Sequence, residues 1–105
     1  MSDLKKWKDL YQEDPENELV LISLAKAYLD AEMYLEASRS YQSLVELQPD
    51  FALAWALLAR SHLRLGELDK ARLTAQEALR LAVHQKHEVP EMEARSVLDE
   101  LDAEF

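Results

Sequence analysis

The sequence predicts an all-α solenoid of antiparallel helix pairs, about six helices in all. Three observations carry this expectation. The 105 residues include one glycine, three prolines and many Ala, Leu, Glu, Lys, Arg and Gln, a composition that favours helix and leaves little turn chemistry for hairpins. The apolar residues recur at helical spacing. The whole pattern then repeats after 34 residues, a period that marks stacked-repeat architectures.

The elements follow in order. Residues 1–17, with "DLKKWKDLYQEDP", supply a half repeat: Trp7, Leu10 and Pro15 fall on Tyr41, Leu44 and Pro49 one period later. Residues 18–51 form a full unit. Its first helix, of type A, carries Leu21, Leu24, Ala25 and Tyr28 at i, i+3, i+4 and i+7, and its second, of type B, carries Ala37, Tyr41, Leu44 and Leu47. Residues 52–85 repeat it, with Trp55, Leu58, Ala59 and His62 on the A helix and Ala71, Ala78 and Leu81 on the B helix. The lone Gly66 stands between them, where the chain reverses and a left-handed residue is needed. The first unit has Glu32 in that place, so its turn is expected to be strained by about 1 kcal/mol or to use other geometry. The paired alanines, Ala25 with Ala37 and Ala59 with Ala71, would let each pair of helices approach closely. After Leu81 the repeat fades: Val83 stands where Pro49 closed the first unit. The second B helix is expected to run on for a turn. A loop and a capping helix over 89–105 then follow, opened by Pro90 and striped with Ala94, Val97, Leu98, Leu101 and Phe105. The chain is thus one domain.

Charge narrows the function classes. The net charge of −9 argues against a nucleic-acid partner, since that binding rests on phosphate neutralisation by Lys and Arg. There is no cysteine, hence no disulfide or thiolate metal site. No stretch has the length of a signal peptide or membrane span, so a cytoplasmic protein without membrane attachment is expected. The charge is uneven: −2 over residues 1–17, −4 over 18–51, +3 over 52–87 and −6 over 88–105. A basic second unit beside an acidic tail helix favours docking one on the other. His84, His87 and Glu88 read as polar loop residues and His62 as a half-buried substitute for an aromatic. Trp7 and Trp55 read as core, and the carboxylates as solvated helix faces. No nucleophile–base pair or phosphate-cradling glycine loop is present, so neither enzyme activity, cofactor nor metal is expected.

The pattern resembles the tetratricopeptide repeat. The residues carrying the resemblance are Trp55, Leu58, Ala59, Gly66, Leu68, Ala71 and Ala78 in the second unit. In the first they are Leu24, Ala25, Tyr28, Tyr34, Ala37, Tyr41 and Pro49. Glu32, His62, Ala75 and Val83 depart from the family pattern. The resemblance implies a right-handed superhelix in which the A helices line a concave face. On it would lie Leu19, Ile22, Ser23, Lys26, Leu29 and Asp30 and, one period later, Leu53, Ala56, Leu57, Arg60, Leu63 and Arg64. This face is aliphatic and basic although the chain is acidic. The expected function is a non-catalytic protein-interaction module or adaptor. Its groove would take a peptide or amphipathic helix, with an acidic group or C-terminal carboxylate meeting Lys26 and Arg60. A family subset clamps chaperone tails with Lys, Asn and Arg. Here Ile22, Lys26 and Leu57 occupy clamp places, so the clamp is absent. The rival expectation is a self-associating structural protein, a homodimer formed through the groove or the terminal helices. A third arrangement has the C-terminal helix, of the same chain or of a second copy, cover the groove.

Overall fold

The computed structural model describes residues 3–103. Phe105, assigned to the terminal stripe, and the first two residues of the half repeat lie outside them. Six helices follow one another: α1 (Leu4–Glu13), α2 (Glu18–Asp30), α3 (Tyr34–Leu47), α4 (Ala52–Arg64), α5 (Leu68–Gln85) and α6 (Glu88–Ala103). Among the described residues there is no strand. α2 with α3 and α4 with α5 form two successive hairpins, α1 packs on α2, and α6 lies against both α4 and α5.

The three tightest turns are built alike. At the end of α2, the Met33 N–H donates to the Tyr28 carbonyl at 2.9 Å and the Glu32 N–H to Leu29 at 3.0 Å. Glu67 and Gly66 repeat this on His62 and Leu63, and His87 and Lys86 on Ala82 and Val83. The pivot residues Glu32, Gly66 and Lys86 have φ of 59°, 78° and 55°, the left-handed conformation of a Schellman cap. Glu32 therefore adopts the glycine geometry rather than another one. Glu32→Gly is expected to raise the unfolding free energy by about 0.5–1 kcal/mol, left-handed strain relieved minus unfolded-chain entropy gained. Gly66→Ala should lower it by a similar amount through conformation alone, since an added Cβ would meet nothing within 4 Å. Chemical denaturation of both variants checks the opposite signs.

Packing follows the alanine pairs. Ala25 and Ala37 share one core cluster and Ala59 and Ala71 another, all fully buried. The first cluster adds Leu21, Tyr41, Leu44, Val45, Ala54 and Leu58, drawn from α2, α3 and α4. Leu47 departs from its expected stripe: it is 59% exposed, and Val45 takes the buried place near the helix end. Trp55 is half-buried, with its indole N–H donating to the Pro49 carbonyl at 2.8 Å. Trp7 is also half-buried, under the Lys6 ammonium, and stands beside an open trough rather than inside a closed core.

The fading of the repeat has a local cause. α3 has 14 residues and stops before Pro49, whereas α5 has 18 and runs through Val83, since proline restricts the residue before it and valine does not. The connection to α6 is then only Lys86 and His87, not a longer loop. Pro90 is consequently the third residue of α6 rather than its first. It is tolerated because the N–H groups of the first turn have no helical partner to lose.

Candidate functional site

The inner-face residues divide into an open group and a covered group. On α2, Leu19 is 75% exposed. Ile22, Ser23 and Leu29 are half-buried, and Lys26 is exposed and paired with Asp30 at 2.6 Å. On α4, Leu53 and Leu57 are half-buried. Ile22 and Leu29 of α2 and Leu57 of α4 each pack against the same core cluster. Leu19 and Leu53 sit at the second position of their helices, one turn before Ile22 and Leu57.

The other α4 residues face α6. Ala56 is fully buried and Leu63 is 7% exposed. Ala56 packs with Ala78 and Ala94, and Leu63 with Val97 and Leu101. These two do not line an open groove, because the acidic terminal helix lies over them. Arg60 meets Glu93 at 3.4 Å, Glu100 at 3.5 Å and the Ser96 hydroxyl at 3.1 Å. Arg64 meets Glu100 at 2.9 Å, and on α5 Arg72 meets Asp102 at 3.2 Å. The basic half of the predicted face is thus matched by acids of the same chain. Arg60 is the most buried side chain of this set, at 18% exposure. The outer pairs are screened by water and each contributes under about 1 kcal/mol.

The hydrogen bond from Arg64 holds the Glu100 carboxyl below its ordinary value, aided by the charges of Arg64 and Arg60 and opposed by partial burial. A depressed carboxyl contributes stability that is complete above its unfolded value near 4.5 and is lost as pH falls through the folded value. Wild type is therefore expected to lose more stability than Glu100→Gln on acidification below that point. Parallel acid titrations of helical content check the difference.

Sequence reasoning did not anticipate a trough between α1 and α2. It has a volume of about 810 Å³ and is lined by Asp3, Trp7, Ile22, Ser23, Lys26, Ala27, Asp30 and Ala31. The signal was available in Ser23 and Ala27 on one face of α2 and Ala31 at its C-cap, small residues four apart. His62, expected to replace an aromatic, bonds Glu67 through Nδ1 at 2.8 Å and ties α4 to the start of α5. Among the described residues no group of three or more His, Cys, Asp or Glu could hold a metal, and no helix is long and apolar enough to cross a membrane.

Comparison with known proteins agrees with this architecture. The sequence model of the tetratricopeptide repeat matches residues 40–73. A TPR repeat-containing protein of Pseudomonas aeruginosa is 31% identical over 87 residues, covering 83% of each chain. Among solved structures, PcrH of P. aeruginosa, in complex with the chaperone binding region of PopD, superposes with a TM-score of 0.82 at 24% identity, over 96% of this chain and 77% of that one. The first TPR of Spaghetti (RPAP3), bound to an HSP90 peptide, gives 0.74 at 18% identity, over 94% and 77%. With its 34-residue period, its two stacked hairpins and this likeness along most of its length, the chain belongs to the tetratricopeptide repeat family.

Proposed function

We propose that the protein is a non-catalytic interaction module that seats a peptide or amphipathic helix on the strip formed by Leu19, Ile22, Leu29, Leu53 and Leu57, with Ser23 and Lys26 at its polar edge. The observation that supports this reading is that Ile22, Leu29 and Leu57, half-buried aliphatics of two successive A helices, each pack against one core cluster. Aliphatic side chains left partly in water on one face gain from a partner that covers them. Solved structures of this fold holding a PopD region and an HSP90 peptide support a peptide or protein as the class of partner. Ile22 and Leu57 at clamp places favour apolar anchors over a carboxylate clamp. An acidic group on the partner would meet Lys26, or would reach Arg60 and Arg64 by displacing Glu93 and Glu100.

A displayed peptide library selected on the wild-type chain tests this. Ile22→Glu with Leu57→Glu is expected to weaken the selected peptides at least tenfold while helical content is retained, because each carboxylate sits where an apolar anchor would lie. Equal binding by the double variant would overturn the reading.

A further inference from the structure

A basic recess lies where α3, the end of α4 and the start of α5 come together. It has a volume of about 420 Å³ and is lined by Ser38, Arg39, Gln42 and Ser43 of α3, His62 of α4 and Lys70 of α5. None of the inner-face residues lines it. No carboxylate lines it either, in a chain where 21 acids outnumber 12 Lys and Arg.

The recess is not a product of the repeat. One period earlier, Tyr28 and Glu36 stand in the places of His62 and Lys70, and the recess of about 220 Å³ that they line holds an acid where this one holds a base. One period later, Leu73 stands in the place of Arg39. Arg39, His62 and Lys70 therefore come together at this junction and at neither of its counterparts.

The bases there have donors to spare. Arg39 is exposed, and its guanidinium forms no ion pair or hydrogen bond among the described residues, although Glu36 is one turn away. Lys70 has a long ion pair with Glu67 at 3.8 Å. The same Glu67 bonds His62 Nδ1 at 2.8 Å, so one carboxylate serves two bases. The Ser38 and Ser43 hydroxyls donate to the Leu35 and Arg39 carbonyls, and the Gln42 amide to Glu46. A ligand would thus be met mainly by the guanidinium and the ammonium. A guanidinium fork matches two oxygens of a phosphate, and an ammonium meets a third as a point charge. Local charge governs such capture even on an acidic protein.

We propose that this recess binds a phosphate group, with its oxygens held by Arg39 and Lys70 and with His62 at the wall. Free phosphate and a phosphorylated side chain of a partner present the same chemistry, so the test has an arm for each. The site is separate from the peptide strip and does not depend on it.

Nuclear magnetic resonance titration of the isotope-labelled 105-residue chain, at neutral pH and an ionic strength held constant with sodium chloride, tests the proposal. The probes are inorganic phosphate, a phosphoserine tripeptide and acetate. Phosphate should give saturable shifts at residues 38–43, 62 and 70, and acetate should bind more weakly, having fewer oxygens and less charge. Tighter binding of the tripeptide would assign the site to a phosphorylated partner, and the reverse order to the free ion. Arg39→Gln and Lys70→Gln should each weaken binding about tenfold, the fold-change for one lost charged hydrogen bond. Both side chains lie in water, so helical content should stay unchanged by circular dichroism. Glu67→Gln should tighten binding, because it removes the carboxylate that competes for Lys70; a purely structural role for these residues predicts no such gain. Three results would overturn the proposal: phosphate shifts that do not saturate, acetate bound as tightly as phosphate, or Arg39→Gln binding phosphate like wild type.

Discussion

Replacing Leu58 by alanine is expected to lower the unfolding free energy by about 2–5 kcal/mol. Leu58 is 1% exposed and enters from α4 the cluster otherwise built by Leu21 and Ala25 of α2, by Ala37, Tyr41, Leu44 and Val45 of α3, and by Ala54 beside it on α4. Its side chain thus joins one repeat to the next. Truncation removes the transfer energy of the isobutyl group and leaves a cavity walled mainly by aliphatics. The helices cannot close the gap freely, because Ala25 and Ala37 are already fully buried. In a linear array, stability is the sum of unit terms and nearest-neighbour interfaces, so the loss also weakens the coupling between the two hairpins. Urea unfolding of Leu58→Ala should show a lower midpoint and a less cooperative transition. A change under about 1 kcal/mol would mean that α4 does not pack on α2 and α3 as described.

Val97→Asp is expected to release α6 from the stack. Val97 is fully buried and shares a cluster with Ala59, Leu63, Ala71, Ala75 and Leu101. A carboxylate there is surrounded by aliphatic groups from three helices. Leaving a charge buried without compensation costs on the order of 3–5 kcal/mol, more than screened surface pairs such as Arg64–Glu100 and Arg72–Asp102 can offset. The helix should therefore undock, exposing Ala56 and Leu63. Hydrogen exchange should show faster exchange across α6 and along α4, with α2 and α3 close to wild type. Unchanged protection of α6 would contradict the packing. By contrast Asp99→Ala, on the exposed side of the same helix, should leave protection intact.

The hairpins were legible because their signals are local and repeated. Apolar spacing, the paired alanines and the turn at Gly66 each specify a piece of backbone, and the 34-residue period multiplies them. The turn at Lys86 was not legible: lysine carries no left-handed signal, and the reversal follows from how far α5 runs once Val83 replaces a proline. The covering of Ala56, Leu63, Arg60 and Arg64 was legible only as a charge asymmetry. Spacing identifies the inner face of α4, but which helix lies over it depends on the length of α5 and the two-residue turn after it. Trp7 was misplaced for a related reason. The period puts it opposite Tyr41, yet Tyr41 is covered on both sides by neighbouring helices, while Trp7 lies at the end of the stack.

The central claim is that the strip over Ile22, Leu29 and Leu57 receives the partner. Nuclear magnetic resonance titration of the isotope-labelled chain with a library-selected peptide tests it most directly. Shift changes are expected to concentrate on Leu19–Leu29 of α2 and on Leu53 and Leu57 of α4, with the outward residues of α3 and α5, such as Ser43 and Leu73, unmoved. Changes gathered on α3 and α5 with α2 silent would contradict the account.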